Sequence, residues 1–413
     1  MPVPHRLLPT ALVVYLIAGF VVTDLYLPSL PLIAEQFAAG ETITQASLTL
    51  FLLGFAVGNL LFGPLSDRHG RKPIMAFGGI GFLAATLVCA LAPSIETFVG
   101  ARLAQGVMVA SVMVVVQTMV RELYDDTKVV KVMSFIAMVE AVSPALAPVA
   151  GAEITLALGW RANFWLVLGA GALALLIALR LAPESLPREK RSRAGLAGVF
   201  ATYVRLARRW DLMAPLLAAG FVFAGLMLYL TVGPFYFVST LGLGERVFAV
   251  TQFVHVLFYI AGLTVTSRLS DRVPLTLLIS SGFAATAVGG LGMVASALIF
   301  PDHLMTVAVP FAAYAFGIGL AMAPLITRAL SADPTATGMV AALIGVVTIG
   351  CAFAGSLAAA LAYDGGALSI AWPLALTAIL AVTLYASRPA PATETAAKPA
   401  ALAGEADVEE GRA

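Results

Sequence analysis

"GPLSDRHGRKP", residues 63–73, sets the charged side chains Asp67, Arg68, Arg71 and Lys72 between two apolar runs, 43–65 and 73–92. Each run is long enough to cross a bilayer, which takes about 20 mostly apolar residues. The charged stretch therefore reads as a tight loop joining two membrane spans. The rest of the chain agrees with that reading. Of its 413 residues, 60% are hydrophobic and 11% charged, with a mean hydropathy of +0.96. Soluble domains lie nearer ~45–50% and ~25%. So much apolar surface has only lipid for a solvent, and an all-α integral membrane protein is expected.

Outward from the loop, twelve stretches qualify as spans: 10–34, 43–65, 73–92, 96–120, 129–155, 161–182, 213–238, 247–268, 274–299, 304–328, 336–362 and 368–387. No cleavage site precedes the first, so it is read as a retained helix. Lys and Arg concentrate in cytoplasmic loops. With the N-terminus inside, 21 of the 24 lie on the inner side, Arg161 and Arg246 lie outside, and Arg102 sits within a span. Both termini are accordingly assigned to the cytoplasm. The basic, partly amphipathic segment 183–211 separates an N-terminal bundle, 1–182, from a C-terminal bundle, 212–387. The Ala-, Pro- and Glu-rich tail 388–413 reads as disordered.

The two bundles carry a trace of duplication. "PLSDR" at 64–68 follows the second span and "RLSDR" at 268–272 follows the eighth. Asp67 and Asp271 are 204 residues apart, against 203 for the starts of the first and seventh spans. Two six-helix halves closing on a midplane site is the architecture of secondary transporters.

Several function classes are disfavoured. The net charge is +1 and the basic residues are confined to short loops, which argues against a nucleic-acid partner. No G-x-x-x-x-G-K-[ST] loop occurs, so ATP is not expected to drive the protein. Cys89 and Cys351 stand alone in apolar runs and read as small packing residues. Of four histidines only His255 lies in a span, too few for a metal or His–acid catalytic set. The expectation is a monomer without cofactor or metal, with no enzymatic activity, whose partners are the bilayer, protons and a small-molecule substrate.

Ionisable residues inside spans mark function, because a charge at the bilayer centre costs at least ~2.5–3.5 kcal/mol. Asp24 lies fourteen residues beyond Thr10, ~21 Å deep at ~1.5 Å per residue. Arg102 is six residues from the outer end of its span, ~9 Å from the other side. In a core of ~30 Å these depths coincide, so an ion pair, direct or through water, is possible. Asp24 is the expected coupling residue. Its carboxyl can hold a proton or be ionised beside a cation, so protonation and the binding of a cationic substrate exclude one another.

Glu140, eleven residues into the fifth span, is ~17 Å deep. It can hold a second proton, bind a cationic substrate, or replace Asp24 as the partner of Arg102. Alternatively it is a neutral acid bonded to a carbonyl. His255 is a cavity contact or a bonded packing residue. Tyr26, Tyr229, Phe235 and Tyr259 are further candidates for a substrate cavity, suited to lipophilic or cationic compounds. Tyr236, near the outer interface, is the weakest of the aromatics.

The loop 63–73 resembles the signature G-x-L-[SA]-D-R-x-G-R-[KR] of the major facilitator superfamily, matching at Gly63, Leu65, Ser66, Asp67, Arg68, Gly70, Arg71 and Lys72. "RLAQG" at 102–106 is similar to the fourth-helix motif of proton-coupled members. "SPALAPVAG" at 143–151 is similar to the antiporter motif, keeping Pro144, Pro148 and Gly151 but with Ala147 where the family usually has Gly. "TDLYLPSLPLIA" at 23–34 resembles the first helix of bicyclomycin- and chloramphenicol-resistance exporters, and "YAFGIGLAMAP" at 314–324 helix ten of multidrug facilitators.

The resemblance covers 10–387 and implies a twelve-helix drug:proton antiporter of a bacterial inner membrane. It also implies that the 63–73 loop latches the halves while the cavity opens outward, with Asp67 against the start of the eleventh helix and paired with Arg121. Glu140 departs from the multidrug facilitators, where a small apolar residue is usual. A dedicated exporter of one endogenous product, such as an antibiotic or siderophore, and a proton symporter importing a small solute are the alternatives.

Overall fold

A computed structural model describes residues 8–124, 126–191, 196–301, 303–332 and 337–388. Among these residues every regular element is helical. The first span is broken. Helix α1 (Leu8–Asp24) stops at Asp24, a 3₁₀ turn covers Leu27–Ser29, and α2 (Leu30–Gln36) completes the crossing. Pro28 and Pro31 are the second residues of the turn and of α2, within the first turn where a missing N–H is harmless at a new helix start but would interrupt a continuing one.

Then follow α3 (Glu41–His69), α4 (Arg71–Leu91), α5 (Ile95–Leu123), α6 (Asp126–Leu158) and α7 (Arg161–Leu181). A short α8 (Leu196–Ala207) occupies the linker. The second set is α9 (Trp210–Phe235), α10 (Glu245–Leu269), α11 (Leu275–Ile299), α12 (Leu304–Ser331), α13 (Thr337–Ala362) and α14 (Ala367–Ala386). Eleven spans among the described residues have the length and hydropathy to cross a membrane, and α6 adds the shorter apolar stretch Val142–Leu158. Several helices outrun their apolar runs by up to a turn, since polar ends such as Asp67–His69 continue the backbone ladder.

Helices α3 and α4 pack on α5, while α1 packs on α6 and α7. In the second set α11 packs on α12 and α14, α9 on α13 and α14, and α10 on α12. The sets meet where α3 crosses α13 and α6 crosses α10. Residues 66–68 lie in the last turn of α3 and residues 270–272 form the turn after α10, so each "SDR" sequence closes the second spanning helix of its set. The expected start of the eleventh span near Ala336, and the tail beyond Arg388, lie outside the described residues.

Candidate functional site

A cavity of about 790 Å³ lies between the two helix sets. Its wall is mostly apolar, with Phe20, Phe51, Met113, Met227, Leu230 and Phe311 among its residues. Asp24, Gln117, Glu140, Gln252 and His255 interrupt it. The lining reaches Gly63 and Arg121, so the cavity extends toward the end that bears the 63–73 loop and the linker. The opposite end is closed by contacts between the sets. Ser356 of α13 is hydrogen-bonded to Thr49 of α3 at 2.7 Å and to Thr231 of α9 at 2.7 Å, all buried. Nearer the surface, Arg246 of α10 donates to both carboxylate oxygens of Glu153 of α6, at 2.5 and 2.7 Å. An exposed pair of this kind contributes roughly 0–1 kcal/mol, so the buried hydroxyls and helix packing carry most of the closure.

Asp24 is the last residue of α1 and lines the cavity. Its carboxyl makes no hydrogen bond or ion pair among the described residues. The break that follows is seated on α6. The Leu25 carbonyl lies against Gly151, where any Cβ would overlap it. Ser29 Oγ meets Thr155 Oγ1 at 2.6 Å, and Asn163 Nδ2 donates to the same hydroxyl at 2.9 Å. Gly151 thus permits the close approach that fixes the turn carrying Asp24.

Arg102 does not pair with Asp24. Its guanidinium lies between the rings of Tyr26 and Phe51, 4.4 and 4.3 Å from their centroids. It donates to the Gln105 Oε1, and Gln105 Nε2 donates to Thr86 Oγ1 at 2.7 Å. Its Nε and Nη2 have no partner among the described residues. Phe51 lines the cavity, so the arginine stands one ring behind the wall. Across a poorly screening interior its charge still reaches Asp24. Equal depth is one coordinate of three, and side-chain direction separates the two groups laterally.

Glu140 also lines the cavity, half-buried, with Gln117 Nε2 at 3.5 Å from its Oε1. It pairs with no arginine among the described residues. His255 and Tyr259 line the cavity from α10, which packs against α6. Tyr26, Tyr229 and Phe235 do not reach the cavity. Tyr26 packs on Phe98 and Phe164 and meets Ser47 at 3.1 Å. Tyr229 stacks behind Phe311, centroids 3.9 Å apart. Phe235 is fully buried near the end of α9, and Tyr236 donates to the Pro301 carbonyl at 2.9 Å. Tyr26 and Tyr229 turn their aromatic faces toward their own sets, where ring packing is available. Pro144 lines the cavity, while Pro148 is buried.

At the linker end the chain turns between α3 and α4 at Gly70, φ +102°, a conformation that a side chain disfavours. Arg71 is the hub. Its Nη1 lies 2.6 Å from Asp67 Oδ1 and 2.6 Å from Ser66 Oγ, and its Nη2 is 2.9 Å from Glu122. The backbone N–H of Arg71 donates to Glu184, and Ser185 donates to Glu122, so the linker is tied to the loop at 2.8 and 2.6 Å. Asp67 therefore pairs with Arg71, four residues along the chain, while Arg121 lines the cavity instead. Gly63 has open space around it rather than a close neighbour. Arg68 is exposed, and Lys72 borders a small pocket with Arg188 and Arg191.

Asn59, Gln117, Gln252 and Thr348 line the cavity without standing out in the sequence. Each is an uncharged polar residue in an apolar run, a weaker signal than a carboxylate.

Comparison with known proteins gives a consistent picture. A family model described as Major Facilitator Superfamily matches residues 11–359. An uncharacterized MFS-type transporter of Bacillus subtilis, YdgK, is 30% identical over 79% of this chain and 81% of its own length. The multidrug transporter MdfA of Edwardsiella ictaluri is 29% identical, over 83% of each chain. A D-xylose–proton symporter structure superposes with a TM-score of 0.72 at 16% identity, covering 93% of this chain and 98% of that one. A bacterial homologue of the human lysosomal transporter Spinster gives 0.70 at 16%, covering 92% and 95%. The chain belongs to the major facilitator superfamily and is a multi-pass membrane transporter.

Proposed function

We propose that this transporter is a proton-driven exporter of small lipophilic compounds, neutral or cationic, in a bacterial inner membrane. The observation that carries the reading is the pairing of an apolar cavity with two carboxyls in its wall, Asp24 and Glu140, while the nearby arginine is withheld behind Phe51. A neutral Asp24 accepts a lipophilic wall around it. An ionised Asp24 is tolerated when a cation lies beside it or the Arg102 charge balances it. A cationic substrate and a proton then compete for one carboxyl. The relatives named multidrug transporter MdfA support the same substrate class.

Lys and Arg bias assigns the linker end to the cytoplasm, so this conformation is inward-open. Residues 1–182 and 212–387 rock about the cavity as two bodies, joined by 183–211. Export requires the outer contacts at Thr49, Thr231 and Ser356 to break. With Cys89 and Cys351 first replaced, Thr49→Cys with Ser356→Cys is expected to form a disulfide on oxidation and stop transport, with recovery on reduction. Undiminished transport by the oxidised protein would exclude this closure as part of the cycle.

In the outward-open state we place Asp67 against the positive end of α13, latching the inner face. Asp67→Asn is then expected to slow turnover about tenfold, ~1.4 kcal/mol of barrier, with substrate affinity retained. Parallel loss of affinity and rate in binding and flux assays would remove the latch.

Acidified inside-out vesicles provide the direct test of the function. Addition of a transported compound is expected to alkalinise the lumen. A broad panel of neutral and cationic compounds that moves no protons would overturn polyspecific export.

A further inference from the structure

Helix α10, which packs against α6 and so borders Glu140, contributes to the wall polar atoms that nothing among the described residues satisfies. Gln252, His255 and Tyr259 lie at i, i+3 and i+7 on α10, one helical face, and all three line the cavity. Gln252 and His255 are 1% and 2% exposed, yet Gln252 Oε1 and His255 Nδ1 have no hydrogen-bond partner among the described residues. Thr348 of α13, also in the wall, has a hydroxyl in the same condition.

The direction of bonding at His255 is fixed. Its Nε2 lies 2.9 Å from the Ala308 carbonyl, which can only accept, so Nε2 carries the hydrogen. In a neutral ring Nδ1 is then a bare acceptor. Phe311 and Tyr229 both brace the ring edge-on, centroids 4.9 and 5.3 Å away, and the Tyr229 hydroxyl is itself unpaired among the described residues, so the imidazole is held rather than free to turn away. The wall thus holds two unpaired acceptors, an amide oxygen and an imidazole nitrogen, both shut off from solvent in this conformation.

Buried polar groups are nearly always hydrogen-bonded, and exceptions call for a missing partner. A substrate is that partner. We propose that Gln252 and His255 form a hydrogen-bond-accepting subsite in the C-terminal wall of the cavity, which selects lipophilic substrates bearing an O–H or N–H donor. This rests on the reading of the cavity as the substrate site. It adds that neighbouring groups in one cavity do different work. Asp24 and Glu140 respond to charge, while the α10 wall reads a neutral donor. A hydroxyl or amine is preferred over the same group capped by methyl, even in an uncharged compound.

The test uses matched probes that differ only in donor capacity: chloramphenicol against its di-O-methyl ether, and ethidium against its N-tetramethylated counterpart. Binding is followed by tryptophan fluorescence in detergent-purified protein. In the wild type each donor member is expected to bind more tightly, by roughly three- to tenfold per hydrogen bond.

Gln252→Leu removes an acceptor that holds no structural bond and is expected to reduce the preference. His255→Phe is the second variant, with its fold checked by melting temperature. Methyl bulk alone would leave the preference intact in both variants. Equal binding within the pairs, failure of both donor members to bind, or a preference that survives both substitutions overturns the subsite. The assay needs no proton gradient. A protein that shows the preference but moves no protons in vesicles keeps the subsite and loses the export reading.

Discussion

Asp24→Asn is expected to abolish substrate-triggered proton release while neutral compounds still bind within about threefold of wild type, less than one hydrogen bond's worth. The substitution preserves shape and polarity and removes only the titratable site. Asp24 lines the cavity with no partner among the described residues, so Asn breaks no bond that holds the fold. For one proton exchanged per substrate, each unit of pH gradient supports about a tenfold concentration ratio. The mutant should therefore equilibrate a compound without accumulating it.

Vesicle alkalinisation and accumulation, measured together, decide the matter. Retained accumulation in Asp24→Asn that vanishes in Glu140→Gln would transfer coupling to Glu140, which faces the same cavity from α6. If each single variant halves proton release, each acid carries its own share of the coupling; if either one abolishes it, the two acids act together as one unit.

The second large effect is expected at Gly151. Any Cβ there would overlap the Leu25 carbonyl, backbone that has no rotamer with which to yield. Overpacking of this kind costs about 1–3 kcal/mol, and here the displaced segment is the turn just after Asp24. Gly151→Ala should therefore lower the melting temperature and also impair coupling, because the carboxyl moves with the turn. At Gly169 of α7 an added Cβ would meet nothing within 4 Å, so Gly169→Ala is the control. It should be neutral or stabilising by up to ~1 kcal/mol, the helix-propensity difference. Melting curves and proton-coupled flux on both variants check the expectation. Normal coupling and stability in Gly151→Ala would mean that α6 can retreat and that the seat is not rigid.

Asp24 and Gly151 differ in how they declare themselves. Asp24 and Glu140 were legible from sequence because an ionisable side chain in an apolar run is expensive enough to need a reason. The number of spans was legible for a similar reason. Bilayer thickness sets the length of each apolar run, and the loops are polar enough to bound it, as at 63–73 and 183–211. Pro28 and Pro31 were visible too, but where the first helix breaks depended on what received it, Gly151 and Thr155 of α6.

Direction around a helix axis was not legible. A soluble helix announces its buried face by contrast with a polar one. A membrane helix is apolar on both its lipid and its protein sides, so Tyr26 and Tyr229 gave no sign that they pack within their own sets. Arg102 and Asp24 shared a depth, yet Arg102 turned to Gln105 and two rings. Asp67 likewise found Arg71 rather than Arg121, since a neighbour one turn away is always within reach. The sequence by itself determined how many helices cross, to within about a turn where most of them end, and which ionisable side chains lie inside them. Only the tertiary structure decided which of those side chains face one another, because azimuth in a lipid solvent is set by packing neighbours and not by the contrast between apolar and polar faces.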